Sequence, residues 1–158
     1  IASAQMIPDG YFDLQAPLVC PEDSTEPYDD SPDNPEILPA LQRETTLFRW
    51  FDIREDEDWL RVECVAGITY TIQTLNLASG VDTVVTVYDT DGVTILATDD
   101  NSGVGDASML SFQASADAIY YIRVSQAVGS NYGCDSSYQI NISNNLKTVF
   151  LPFVTLQR

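Results

Sequence analysis

The chain has no histidine, and only 7 of its 158 residues are lysine or arginine. Without histidine, neither a Ser-His-Asp nor a Cys-His arrangement can form, and a zinc site lacks its usual nitrogen ligands. A pair of carboxylates could in principle still hydrolyse a glycoside. Among 24 acidic residues, however, close pairs arise by chance. The expectation is a non-catalytic protein. Scarcity of cations leaves a formal net charge of −17. Such a surface repels phosphate backbones and anionic membranes, so nucleic acid is excluded as a partner. No apolar run approaches the roughly 18 residues that a spanning helix requires. Cysteine is sparse as well, and Cys20, Cys64 and Cys134 lack metal-ligand spacing.

What the chain does have is alternation. Short apolar runs of period two are separated by Asp and Gly turns, the mark of a half-buried antiparallel sheet. Strands are expected at about 45–52, 59–65, 69–75, 82–89, 94–98, 108–113, 120–125 and 137–143. Asp91-Gly92 is a hairpin turn signal, since glycine takes positive φ without steric cost. No segment offers an amphipathic helix, and a chain of this length buries enough surface for one domain. The class is all-β, a sandwich. On these strands Cys64 shares a face with Leu60 and Val62, which places it in the core. Tyr120, Ile122 and Val124 likewise point inward, whereas Tyr121 and Arg123 point out.

The ends read differently. Residues 1–20 form a weakly patterned N-terminal arm, in which Ala2-Ser3-Ala4 has the small-residue spacing of a signal-peptidase site. Residues 21–43 are acidic, with prolines at 21, 27, 32, 35 and 39 that forbid helix and disfavour a central strand. An extended segment lying on a surface is expected there. The body of the domain runs to residue 144, and residues 145–158 form an apolar tail. Val149, Phe150, Leu151, Phe153, Val154 and Leu156 make that tail strongly β-prone, and Pro152 bars it from a central strand. Exposed, it would aggregate, so it needs cover from its own domain or from another molecule. A Cys20–Cys134 disulfide would pin the N-terminal segment to the body in an oxidising compartment. Three free thiols are the alternative.

Several pieces in order resemble one family. They are Glu26-Pro27, Asp29-Asp30-Ser31, Asp56-x-Asp58-Trp59, Ala66-Gly67, Tyr70, Asp82-Thr83, Tyr88-Asp89, Asp91-Gly92, Leu96-Ala97, Asp99-Asp100, Ser108, Tyr120-Tyr121-Ile122-Arg123-Val124 and Tyr138. Residues 24–144 are similar to the bacterial pre-peptidase C-terminal domain, which is related in fold to the collagen-binding domains of bacterial collagenases. Tyr28 stands where that family usually has Asn, and the glycine expected before Tyr120 is absent. The resemblance implies an antiparallel, jelly-roll-like β-sandwich with extended N- and C-terminal arms, found outside the cell or on its surface. It also implies attachment to a secreted peptidase or another exported enzyme.

The resemblance further implies calcium, held by acidic residues of the linker and aspartates of the core. Here these are Glu26, Asp29, Asp56 and Asp58. Calcium takes six to eight oxygen ligands, which carboxylates supply. The plainer reading is a solvated acidic linker beside a turn. Asp99 and Asp100 mark a second, weaker cation loop, which reads equally as a turn. Asp89-Thr90-Asp91-Gly92 looks like the start of an EF-hand loop, but a hairpin is expected because no helices flank it. Tyr120, Tyr121, Tyr132, Trp50 and Trp59 offer either an aromatic platform or ordinary sheet packing. Asn141-Ile142-Ser143 is a glycosylation sequon. Two functions follow: a secreted structural protein that assembles with copies of itself through its terminal strands, or an accessory module binding collagen-like, polysaccharide or cell-wall material.

Overall fold

The computed structural model describes residues 29–38, 44–128 and 131–146. Nine strands run in order: β1 Glu36–Leu38, β2 Glu44–Trp50, β3 Glu57–Cys64, β4 Thr69–Leu75, β5 Thr83–Tyr88, β6 Ile95–Asp99, β7 Met109–Gln113, β8 Ala118–Gln126 and β9 Ser137–Asn144. The strands expected from alternation are all present, and the described residues contain no helix. They form a five-stranded sheet, β1-β3-β8-β5-β6, packed on a four-stranded sheet, β2-β9-β4-β7. This is an all-β sandwich.

Alternation is why the two sheets meet. β4 places Tyr70, Ile72 and Thr74 inward, with half-buried polar residues between them. β8 does the same with Tyr120, Ile122 and Val124, leaving Tyr121 and Arg123 on the outer face as expected. Leu60, Ile72, Val85, Val87, Val124 and Ile140 are fully buried, and Cys64 sits with Leu60 and Val62 in the same core. Each fully buried aliphatic side chain contributes about 1.5–3 kcal/mol over its exposed state. Phe112 links the sheets through ring contacts with Tyr70 and Tyr120, at 5.7 and 5.4 Å between centroids.

Two features depart from expectation. The acidic Pro-rich segment does not simply lie on a surface: Asp29 and Leu38 are buried, and Glu36–Leu38 pairs with β3. That pairing is parallel, the exception in an otherwise antiparallel sandwich. Pro35 stands just before the strand and Pro39 just after it, so β1 stays short and at an edge, where proline is tolerated. The N-terminal arm, the C-terminal tail from Lys147 onward, and residues 39–43 lie outside the described residues.

The hairpin at Asp91-Gly92 is as expected. Gly92 has φ +69° and its amide donates to the Asp89 carbonyl at 2.9 Å. The Asp91 carboxylate accepts from the amides of Val93 and Thr94 and from the Thr94 hydroxyl. These bonds close the turn between β5 and β6, with no EF-hand helices on either side among the described residues.

Candidate cation site

At one end of the sandwich the β2–β3 connection turns sharply. Glu55 adopts φ +62°, unusual for a side-chain-bearing residue, and carries the chain back so that Asp56 faces Asp52. The Asp52 amide donates to Asp56 Oδ2 at 2.6 Å, closing the loop. Against this loop lies the start of the N-terminal segment, anchored where the Trp59 amide donates to the Asp29 carbonyl at 2.9 Å. Arg49 of β2 forms an ion pair with Glu36 of β1, which ties the two sheets at the same end.

The consequence is a concentration of acid. Asp29, Asp52, Asp56 and Asp58 are all buried, and Asp30 is half-buried. One carboxylate oxygen each from Asp30, Asp52 and Asp56 lies within 4.8 Å of the others. Oxygens bound to one calcium ion at 2.3–2.6 Å are at most about 5 Å apart, so the triad matches that spacing. Asp58 lies deepest: its Oδ2 accepts from the Tyr138 hydroxyl, and its Oδ1 has no hydrogen-bond partner among the described residues. Burial first, then the charges of Asp56 and Asp29, push its carboxyl well above the usual range. The Tyr138 hydrogen bond and Arg49 oppose that rise without cancelling it. Burial and the Asp58 charge in turn raise the Tyr138 phenol well above its ordinary value. Arg49 is buried at this end as well and forms an ion pair with Glu36. So many carboxylates in a poorly solvated corner are costly unless a cation joins them. The residues present therefore fit a hard, oxygen-seeking cation. A cleft of about 170 Å³, lined by Glu55, Asp56, Glu57, Ser125 and Gln126, opens beside Asp56.

Of the residues named from the sequence, Asp29, Asp56 and Asp58 are brought to this corner, and Glu26 lies outside the described residues. Asp30 and Asp52 were not named. The doublet Asp29-Asp30 was a signal for the first. For Asp52, only the turn that returns the chain to Asp56 reveals it.

The second loop behaves as a turn. Asp99 Oδ2 accepts from the Ser102 and Met109 amides at 3.0 and 2.8 Å. Burial acts to raise its carboxyl, but the bonds from Ser102 and Met109 outweigh this and hold it low. Asp100 is exposed and accepts from Asn101.

Cys134 is disulfide-bonded and Cys64 is a buried free thiol, while Cys20 lies outside the described residues. The assembly tail Val149, Phe150, Leu151, Phe153, Val154 and Leu156 lies outside them too. The aromatics divide. Trp59 is buried and stacks on Tyr88 at 5.0 Å, with Arg123 over both rings and bonded to Glu57 at 3.0 Å. Tyr120 and Trp50 are buried, and Tyr132 is exposed. Packing, not a platform, accounts for most of them.

No curated protein matches the chain. Among solved structures, the periplasmic inhibitor of g-type lysozyme from Aeromonas hydrophila, PliG, is similar with a TM-score of 0.53 and 16% identity, covering 69% of this chain and 94% of that one. That likeness concerns the fold. The pre-peptidase C-terminal domain of Bacillus anthracis collagenase aligns with a TM-score of 0.49 and 14% identity, covering 72% of this chain and 97% of the other. The family described as the bacterial pre-peptidase C-terminal domain matches residues 56–126, which include Asp56, Asp58 and the whole of β3 to β8. The likeness to that family lies in the central stretch of the sandwich, residues 56–126.

Proposed function

We propose that the chain is a non-catalytic, calcium-stabilised binding module of an exported protein. The observation that carries the calcium part is the buried carboxylate corner, where Asp30, Asp52 and Asp56 converge beside the fully buried Asp58. Asp30, Asp52 and Asp56 would hold the ion, which would add positive charge to this cluster of carboxylates. Because Asp30 belongs to the N-terminal segment and Asp52 to the body, the ion would fasten one to the other. Binding only to the folded state stabilises by mass action. The thermal midpoint should therefore climb with calcium concentration and fall in excess chelator, and Asp52→Asn should blunt the climb. A midpoint indifferent to both calcium and chelator would remove the ion from the proposal.

The binding role is supported by the family match, since pre-peptidase C-terminal domains are non-catalytic modules. Export is supported by the disulfide at Cys134, which belongs in an oxidising compartment. No helix among the described residues is long and apolar enough to cross a membrane. Retention on collagen-like, polysaccharide or cell-wall material tests this reading; failure to bind any of them would count against it.

Assembly with copies of itself is a second reading. What favours it is β6, an edge strand whose region exposes Val93, Ile95 and Leu96, since an open edge accepts an added strand. Deleting residues 146–158 would turn an assembly into folded monomers. An unchanged particle size after deletion would dispose of it.

A further inference from the structure

The outer face of the four-stranded sheet differs from the rest of this surface in charge. On a chain of net charge −17, the outward positions of β2, β9, β4 and β7 carry one charged residue, Glu44 at a corner. The outer face of the other sheet carries Glu57, Arg61, Glu63 and Arg123.

The neutral face is built of hydroxyls and amides in register. One row runs Thr46, Asn141, Gln73, with Asn141 itself buried between its neighbours; the next runs from Glu44 at the corner through Ser143 and Thr71 to Ser111. Their hydrogen bonds pre-set their orientation. The Thr71 and Ser111 hydroxyls lie 2.8 Å apart, and Asn141 Nδ2 donates to Thr46 Oγ1 at 2.8 Å and to Glu44 Oε1 at 2.7 Å. Gln139, the register partner of Phe48, accepts from Asn76 at 2.9 Å. Phe48 is 53% exposed and Met109 42% exposed, so apolar patches stand at both edges of this polar field.

We propose that this face binds a neutral polysaccharide. Amide and hydroxyl side chains each offer both donors and acceptors, as sugar hydroxyls do, so the two sets can pair in either sense. Phe48 offers an apolar ring to the C–H face of a pyranose. Charge narrows the choice. A polyanion meets a strongly negative protein with no cation on this face, and a charged protein partner finds no counter-charges to pair. The inference rests on the binding-module reading and gives it a surface and a ligand class.

The test uses the full chain on cellulose, chitin, a soluble β-glucan and a galactomannan, with gelatin and a polyanionic glycan alongside. Retention by at least one neutral polysaccharide is expected, unaltered by salt because no ion pair contributes. Phe48→Ala and Thr71→Glu should each weaken it roughly tenfold, the equivalent of about 1.4 kcal/mol. Tyr121→Ala, on the opposite face, should leave it within about twofold. Thermal midpoints establish that the variants fold; should Thr71→Glu not fold, Ser111→Glu on the exposed edge replaces it. Binding that tolerates these charges, or that is abolished by Tyr121→Ala, overturns the assignment of the face. Binding to gelatin without any glycan overturns this inference and leaves the module reading standing. Binding to nothing in the panel removes both.

Discussion

The Tyr138 hydroxyl of β9 donates to Asp58 Oδ2 of β3, a hydrogen bond that crosses the buried space between the two sheets. The same Tyr138 ring stacks on Phe51 at 4.9 Å, so hydroxyl and ring have separate tasks. Tyr138→Phe keeps the stack and removes the donor. The Asp58 carboxylate is then left short of a partner in a buried site, which costs about 1–3 kcal/mol. Urea unfolding at fixed calcium should show a lower midpoint with the same slope. An unchanged midpoint would mean that the hydrogen bond contributes nothing net.

The Asp91 carboxyl is held down to about 2 by the Thr94 hydroxyl first, and by the Thr94 and Val93 amides. Its folded value lies below the unfolded value of about 3.9. The turn's contribution is therefore present above about pH 4 and lost as pH falls through about 2. Asp91→Ala lacks it throughout. Midpoints of wild type and variant should differ at neutral pH and converge as pH approaches about 2. A difference that stays constant with pH would contradict the capping role.

Burial first pushes the Cys64 thiol up to about 12, only partly offset by its contact with Tyr70. Since the thiolate is the reactive form, native Cys64 should resist alkylation at neutral pH. Mass mapping should find it unlabelled in buffer and labelled in denaturant. Rapid native labelling would show that β3 opens easily.

Asn141 satisfies the sequon but is buried, and its amide is engaged by Thr46 and Glu44. Glycosylation needs an accessible acceptor. Expression in a glycosylating host should yield an unmodified Asn141 by intact mass. Quantitative modification would mean that β9 is glycosylated before it pairs with β2.

Ile140 is fully buried at the centre of the four-stranded sheet. Ile140→Ala deletes core volume there and should cost about 2–5 kcal/mol in denaturant unfolding. A cost below about 1 kcal/mol would mean that the site collapses around the gap.

Strand positions were readable from the residues because their cause is local. A period of two puts alternate side chains on opposite faces whatever the strand pairs with, and the Asp91-Gly92 turn carries its own backbone chemistry. Cys64 and Tyr120 were placed in the core by the same count. The parallel pairing of β1 was not readable, since proline spacing reports what a segment cannot do and not what it lies against.

The residues alone determined an all-β class, the absence of histidine and a large acid excess. Only the folded chain decided which acids meet. Asp30, Asp52 and Asp56 are spread over the sequence, and their convergence depends on a left-handed Glu55, a parallel edge strand and the Arg49–Glu36 pair acting together. The neutral face of the four-stranded sheet was hidden for the same physical reason. Its hydroxyls and amides come from four separate strands, and no single strand carries enough of them to be noticed.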